Sequence, residues 1–158
     1  MVEIRIAIDA DKPAVRQIIK AVIAGGDTYT DSAEDETFAN WFTADKHNYV
    51  AIVDGKVAGT FWLKANQPGR GSHVGNAAYM VSPEARGKGI GKQMAEYSID
   101  EARRLGFKAI QFNFVVKSNE VAVKLWKSVG FEIIGEIPDA FDHIENGLTN
   151  AYIMYRRL

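Results

Sequence analysis

The sequence predicts an α/β fold in which one mixed, mainly antiparallel sheet carries helices on both faces. Segments with strand-like alternation and segments with helical spacing follow one another in the order β-α-α-β-β-β-α-β-α-β-β, which gives about seven strands. Tight turns join some of these strands and helices join others, so antiparallel and parallel neighbours must share the sheet. A length of 158 residues suits one domain, and we therefore take residues 1–158 as a single domain.

The first part of the chain predicts one strand and two helices. Residues 2–8 alternate between polar and apolar side chains, as strands do. Pro13 then occupies a first helical turn, apolar side chains recur at helical spacing, and a Gly-Gly pair ends the helix. A second, shorter helix is expected after Ser32, because Asp35 follows three residues later and the pair is similar to a capping box.

The middle of the chain predicts a hairpin and a further strand. Two β-rich runs between residues 48 and 65 flank Asp54 and Gly55, a pair that tolerates both positive φ values of a type I′ turn. Residues 72–81 form the next strand, in which Gly75 indicates a bulge or a close approach to the backbone.

The remaining elements follow a glycine-rich turn. They are a helix that ends near residue 105, a strand at 108–116, a helix capped by Ser118 or Asn119, and strands at 131–137 and 150–157.

Composition excludes several classes of protein. Nineteen basic and twenty acidic residues give a formal net charge of −1, which provides no broad positive field for nucleic acid or an anionic membrane. The absence of cysteine excludes a disulfide framework, a thiolate metal site and a cysteine nucleophile. No histidine and carboxylate cluster has metal-ligand spacing, so we expect no metal. Without an export signal or an apolar run near the roughly 18 residues of a membrane span, we expect a cytoplasmic protein.

The most informative segment leads from a strand through a glycine-rich turn into a helix. Its glycines are Gly87, Gly89 and Gly91, and its basic residues are Arg86, Lys88 and Lys92. The glycines permit close approach of the backbone, while the first N–H groups of the helix and its dipole favour negative charge. This geometry suits a pyrophosphate, although a solvated tight turn would use the same residues. The spacing fits neither a P-loop nor a Rossmann fingerprint.

These residues resemble the GNAT superfamily of acetyl-CoA-dependent N-acetyltransferases. Its phosphate-binding signature, R/Q-x-x-G-x-G/A, is matched by the segment from Arg86 through Gly89 to Gly91. A second family element is an asparagine, a short helix, an aromatic residue and a Gly-Phe pair. In this sequence the match begins at Asn119, includes Trp126 and ends with Gly130 and Phe131. Both motifs stand in the family's order, as do the predicted elements, so the resemblance covers nearly the whole chain.

The resemblance implies acetyl-CoA as the acyl donor and a sheet that is splayed at the cofactor site. The backbone around Met80 and Val81 would pair with the pantetheine arm. The turn from Arg86 through Ile90 to Lys92 would hold the pyrophosphate. Asn119 would lie beside the pantetheine or the sulfur, a role compatible with its other reading as a helix N-cap.

Trp126 departs from the family pattern. Many members carry a tyrosine at this position, which is thought to protonate the departing thiolate. Indole has no dissociable proton at useful pH, so Trp126 can stack on the cofactor or donate one hydrogen bond but cannot act as that acid. Water or Tyr79 would then supply the proton.

Two asparagines resemble those of a branch that acts on free amino or imino acids. In that branch, an asparagine on the strand before the signature assists the attacking amine, and Asn76 matches it. Asn113 corresponds to an asparagine that binds the acceptor. Both lie inside predicted strands, where asparagine is disfavoured, so each requires either a structural hydrogen-bond network or a ligand.

The sequence therefore predicts an N-acetyltransferase that moves an acetyl group from acetyl-CoA to the amine of a small molecule. Transfer would be direct, because no activated cysteine or serine elbow is present to form a covalent intermediate. Two alternatives remain. A protein N-terminal or lysine acetyltransferase would show an open groove, and a non-catalytic acyl-CoA-binding module would explain the missing tyrosine. Whether the protein is a homodimer stays open.

Overall fold

The computed structural model describes residues 1–158 and contains seven strands and four α-helices in the predicted order. The strands are β1 (Val2–Ile6), β2 (His47–Val53), β3 (Lys56–Ala65), β4 (Val74–Val81), β5 (Ala109–Val116), β6 (Glu132–His143) and β7 (Gly147–Arg157). The helices are α1 (Lys12–Gly25), α2 (Glu34–Trp41), α3 (Ile90–Arg104) and α4 (Glu120–Ser128). All strands form one sheet with the order β1-β2-β3-β4-β5-β7-β6. The predicted fold class is thus confirmed.

The centre of the sheet is open. Every neighbouring pair of strands is antiparallel except β4 and β5, which run parallel. These two strands pair only at Val74 with Ala109 and at Gly75 with Ile110, and beyond that point they diverge. A bulge between Phe112 and Val115 also interrupts the pairing of β5 with β7. The predicted splay is therefore present, and we call the space beyond Gly75 the gap.

Gly75 lies where the two parallel strands are still in contact. A Cβ added to this residue would lie 3.1 Å from Cγ of Phe107, closer than an ordinary van der Waals contact, so the ring would have to shift slightly. The close approach predicted from this glycine is confirmed, and the group that approaches is the Phe107 ring.

Helices cover both faces of the sheet. On one face α1 and α2 pack over a cluster that includes Val15, Ile19 and Trp41. On the other face α3 and α4 pack over a larger cluster that includes Met94 and Trp126. Measured by length and apolar character, none of the helices suffices to cross a membrane.

The start of α2 differs from the capping box predicted at Ser32. The N-cap is Ala33, whose extended backbone has φ −117° and ψ 114° and which offers no side-chain acceptor. The helix start is instead acidic, which complements its dipole, and Arg16 of α1 holds Asp35 at 2.6 Å. The predicted helix is correct, whereas its predicted cap is wrong because the helix begins two residues after Ser32.

The last hairpin is longer than the sequence predicts. Pro138 and Asp139 interrupt the strand pattern, yet β6 continues through them by a bulge in which Asp139 adopts φ 48°. The hairpin consequently extends as far as the end of α1. There the N–H of Ile144 donates to the C=O of Gly26 at 3.2 Å.

Candidate active site

The divergence of β4 and β5 opens a cleft of about 360 Å³, which we call the central cleft. Five of the predicted site residues line it: Asn76, Tyr79, Asn113, Asn119 and Trp126. The other lining residues are aromatic, aliphatic or hydroxyl-bearing, and none of them carries a charge. A ligand in this cleft would therefore meet apolar walls with a few amide and hydroxyl groups.

The second group of predicted residues lies in the turn between β4 and α3. Gly87 and Gly89 both adopt φ 77°, a left-handed conformation that favours glycine. The backbone N–H groups of residues 87–92 find no acceptor within the chain. Arg86 and Lys88 are exposed beside them, whereas the Ile90 side chain is buried in the core and only its N–H is available. This set of donors fits a pyrophosphate.

Alternate residues of β4 direct their backbone groups to opposite sides of the strand. The C=O of Val74 accepts from the N–H of Asn66 at 2.8 Å, on the β3 side. The N–H of Ser82 donates to the C=O of Ala58, also on the β3 side and at 2.8 Å. Even-numbered residues of β4 therefore pair with β3, and residues 77, 79 and 81 direct their N–H and C=O groups into the gap.

This alternation corrects the prediction for Met80. Its backbone belongs to the β3 ladder, and its side chain is buried at 2% exposure among residues that pack under α1. Met80 therefore has no group to offer to a cofactor arm in the gap. Val81 keeps a backbone that faces the gap, and so does Tyr79.

The side chain of Tyr79 does not support the proton-donor role predicted for it. Its hydroxyl lies 2.7 Å from Oγ of Ser98, which itself donates to the C=O of Ala95. The single serine proton is used in that bond, so Tyr79 donates to Ser98 and directs its own proton into α3. Burial also raises the pKa of the Tyr79 hydroxyl above its usual range. We therefore assign the side chain of Tyr79 to the core.

Trp126 packs between Tyr79 and Phe112 on the α4 side of the gap. Its ring centroid lies 4.7 Å from that of Tyr79 and 4.5 Å from that of Phe112. Trp126 is 8% exposed and also lines the central cleft. Its ring can thus contact a ligand with one edge while the rest holds α4 against the sheet.

Asn76 has one polar end in use and one free. Its Oδ1 accepts from the N–H of Ala77 at 2.8 Å, so the side chain satisfies a backbone group that faces the gap. Its Nδ2 makes no hydrogen bond within the chain, yet it is not sealed from solvent. The structural and the functional interpretation of Asn76 are both compatible with this geometry.

Asn113 stands on the exposed bulge of β5 and has both polar ends in use. Its Nδ2 donates to Oδ1 of Asn66 at 2.7 Å, and its Oδ1 accepts from Nε2 of Gln111 at 2.9 Å. A ligand would have to exchange with one of these side-chain partners. For Asn113 the hydrogen-bond network alone accounts for an asparagine in a strand.

Asn119 caps α4, as one of its two readings predicts. Its Oδ1 accepts from the N–H of Ala122 at 3.3 Å. The residue also lines the central cleft, and its Nδ2 has no partner within the chain. Capping thus leaves the Nδ2 group of Asn119 without a partner in a residue that lines the cleft.

Three residues of the segment that joins α1 to α2, Thr28, Tyr29 and Thr30, also line the central cleft. The Tyr29 hydroxyl donates to the C=O of Tyr79 at 2.7 Å and accepts from the N–H of the same residue at 3.1 Å. Burial raises the pKa of the Tyr29 hydroxyl. No periodic pattern singles out these residues; the only available signal was a Thr-Tyr-Thr run in a polar connection.

The α1–α2 segment, residues 26–33, separates the central cleft from a second one of about 720 Å³, which we call the side cleft. Tyr29 and Thr30 line both clefts. The far wall of the side cleft is the turn of the β6–β7 hairpin, which is tied to Gly26 through Ile144.

Comparison with known proteins agrees with this geometry. The model of the family described as "Acetyltransferase (GNAT) family" matches residues 14–131. This range runs from the first turn of α1 to just before β6, and it includes the gap and the glycine-rich turn. The chain belongs to this family. Membership confirms the resemblance to GNAT acetyltransferases that the sequence motifs predict.

Among proteins of this family, N-acetyltransferase aca1 from Schizosaccharomyces pombe is 41% identical over 106 residues, which cover 65% of this chain and 51% of that protein. The chain spans about half or less of the length of the curated relatives it matches. A GCN5-related N-acetyltransferase from Kribbella flavida has a solved structure that is 40% identical, with a TM-score of 0.94 over 99% of this chain and 98% of that one.

The GNAT fold is also shared with a protein from Salmonella typhimurium whose structure was solved with its cofactor acetyl-CoA. The TM-score is 0.86 at 23% identity, over all of this chain and 94% of that one. At this identity the likeness concerns the fold.

Proposed function

We propose that the protein transfers an acetyl group from acetyl-CoA to the neutral amine of a small molecule. The observation that carries this proposal is the continuity of the gap in the sheet with the unpaired N–H groups of residues 87–92. Together they form a track of backbone donors and acceptors that leads from an anion site into the central cleft. Membership in the GNAT family supports a CoA thioester as the occupant of that track.

The residues of this chain have separable tasks in the proposed reaction. Acetyl-CoA supplies the activated acetyl group. Residues 86–92 hold the pyrophosphate by N–H donors and positive charge, and the gap-facing backbone of Val81 holds the pantetheine arm. The backbone N–H of Tyr79 is aimed into the gap, where it can stabilise negative charge on the thioester oxygen. Asn119 and Trp126 contact the arm from α4.

Asn76 is the candidate for positioning the acceptor amine. Asn76 lines the central cleft, its Nδ2 has no partner within the chain, and none of the lining side chains is charged. A protonated acceptor gives its proton to solvent through an ordered water, which Nδ2 of Asn76 can hold by donating to it, so the amine lone pair stays free. The neutral amine then attacks the thioester carbon directly, the C–S bond breaks, CoA leaves as the thiolate, and the excess proton on nitrogen passes to solvent.

The acceptor is proposed to be small because the central cleft has a volume of only about 360 Å³, and the α1–α2 segment borders it. This segment is tied to β4 through Tyr29 and to the β6–β7 hairpin through Gly26. A protein N-terminus or a lysine on a folded partner needs an open groove instead. A free amino or imino acid would fit, with its carboxylate bound by the hydroxyl donors of Thr28 and Thr30. We further propose that residues 1–158 act as one acetyltransferase domain, since all seven strands form one sheet.

The proposed function predicts that acetyl-CoA stabilises the fold. A ligand that binds only the folded chain adds roughly 2.7 kcal/mol at about 100 times its dissociation constant, so a clear rise in melting temperature is expected. The same preparation should release free CoA thiol with a panel of amino acids, imino acids, polyamines and aminoglycosides. No thermal shift at saturating acetyl-CoA would contradict the proposal. A shift without turnover of any amine would favour a non-catalytic acyl-CoA-binding module.

The aromatic residue at position 126 should serve packing and not proton transfer. A thiol has a pKa of about 8.5, so the thiolate leaves without an acid beside it. We expect Trp126→Phe to retain most activity and Trp126→Tyr to gain little. Trp126→Ala should lower the free energy of unfolding by about 3–5 kcal/mol, because it leaves a cavity beside Tyr79 and Phe112. A tenfold rise in turnover for Trp126→Tyr would show instead that an acid is missing.

A further inference from the structure

The Tyr29 hydroxyl occupies two backbone groups that a continuous sheet would use for strand pairing. It donates to the C=O of Tyr79 at 2.7 Å and accepts from the N–H of Tyr79 at 3.1 Å. Both groups face the gap, where β5 has already diverged from β4. One phenol from the α1–α2 segment therefore satisfies the β4 edge at the position where the neighbouring strand is missing.

We propose that Tyr29 is a clasp that competes with the acyl donor for the backbone of Tyr79, so that acetyl-CoA binding releases the α1–α2 segment. This inference rests on the proposed function, which directs the same N–H at the thioester oxygen. A backbone N–H has one proton, and a linear hydrogen bond to one acceptor excludes an equally good bond to a second. Either the tyrosine oxygen or the thioester oxygen can hold it.

The position of Tyr29 connects this competition to the acceptor. Tyr29 and Thr30 line both the central cleft and the side cleft, so they form the wall between the two. When the hydroxyl leaves Tyr79, that wall opens and the side cleft joins the gap. Because the C=O of Gly26 stays bound to the N–H of Ile144, the movement is confined to residues 27–33, which lie between this bond and α2. An acceptor entering by the side cleft therefore reaches the thioester after the donor has bound.

The clasp has a measurable effect on donor affinity. The apparent affinity of a ligand equals its intrinsic affinity multiplied by the fraction of protein in the competent conformation. The two hydrogen bonds of Tyr29 lower that fraction. Tyr29→Phe keeps the ring and removes only the hydroxyl, which leaves the N–H and C=O of Tyr79 free for the donor. We expect acetyl-CoA to bind Tyr29→Phe about tenfold more tightly than the unaltered chain.

The test is calorimetric titration of acetyl-CoA into the full chain, into Tyr29→Phe and into a control, Tyr49→Phe. Tyr49 also donates one strong hydrogen bond, to Glu101 at 2.7 Å, but it lies outside both clefts. The control should bind acetyl-CoA as the unaltered chain does. In hydrogen exchange, acetyl-CoA should speed exchange of residues 27–33 in the unaltered chain. In Tyr29→Phe the same residues should exchange fast before the ligand is added.

Each outcome decides between the two proposals. Unchanged or weaker binding by Tyr29→Phe, while the unaltered chain binds normally, overturns the clasp and leaves the proposed function intact. Absence of acetyl-CoA binding by the unaltered chain overturns the proposed function, and the clasp with it. If Tyr29→Phe does not fold, the exchange experiment on the unaltered chain still decides, because slower exchange of residues 27–33 with acetyl-CoA contradicts release of the segment.

Discussion

Turnover of the Asn76→Ala variant is expected to fall by about ten- to a thousandfold while its affinity for acetyl-CoA stays nearly unchanged. Asn76 lines the central cleft and its Nδ2 has no partner within the chain, so in the proposed reaction its loss removes a group that acts on the acceptor and not on acetyl-CoA. The Oδ1 bond to Ala77 is also lost, but that N–H faces the gap, where water can replace the side chain. Steady-state kinetics and acetyl-CoA titration measure the two effects separately.

Asn48→Ala is the matched control for this experiment. Asn48 is likewise an asparagine in a strand, its Nδ2 donates to the C=O of Trp41 at 2.7 Å, and β3 and β4 separate its strand from the gap. We expect this variant to lose about 1 kcal/mol of stability with normal turnover. Parallel losses of rate and acetyl-CoA affinity in Asn76→Ala, or melting of that variant, would instead assign Asn76 a structural role.

Replacing Gly89 by valine should weaken acetyl-CoA binding by about a hundredfold or more. Gly89 adopts φ 77° at the start of α3, and the N–H groups around it have no acceptor within the chain. A Cβ built on Gly89 meets no protein atom within 4 Å, so a branched side chain would project into the space over these donors. It would keep phosphate oxygens from approaching them. Titration with acetyl-CoA measures the loss.

Backbone strain accompanies any valine at positive φ, and Gly55→Val separates this strain from the effect on the cofactor. Gly55 has φ 75° in the β2–β3 turn and also has no protein atom within 4 Å of an added Cβ. Both variants should lose about 1–2 kcal/mol of stability. Only Gly89→Val should lose acetyl-CoA affinity. Binding by Gly89→Val within threefold of the unaltered chain would place the pyrophosphate elsewhere.

Local signals predicted most of the fold. Asp54 and Gly55 adopt φ values of 48° and 75°, as the type I′ turn requires, and the strands on either side begin and end where expected. Prediction failed where tertiary contacts decide. Pro138 and Asp139 look like a strand end, yet a bulge carries β6 through them because β7 pairs with β6 on both sides of the bulge.

The candidate site divides in the same way. The turn at residues 86–92 could be predicted, because its chemistry lies in consecutive residues whose spacing is fixed by the chain. The pairing side of Met80 and the direction of the Tyr79 hydroxyl could not, because strand register and the position of Ser98 on α3 determine them. Tyr29 was missed since its partner is a backbone group 50 residues away.

Because β4 and β5 pair at only two positions, the boundary between them is the least constrained part of the sheet. Strands before it come from residues 2–81 and strands after it from residues 109–157, so each half has its own ladder and the two share few backbone bonds. The hydrogen bond from Nδ2 of Asn113 to Oδ1 of Asn66 links the two halves through side chains. A molecule bound in the gap would contact both strands and so link the two halves of the sheet. Filling the gap should therefore restrict the relative motion of the two halves of the sheet.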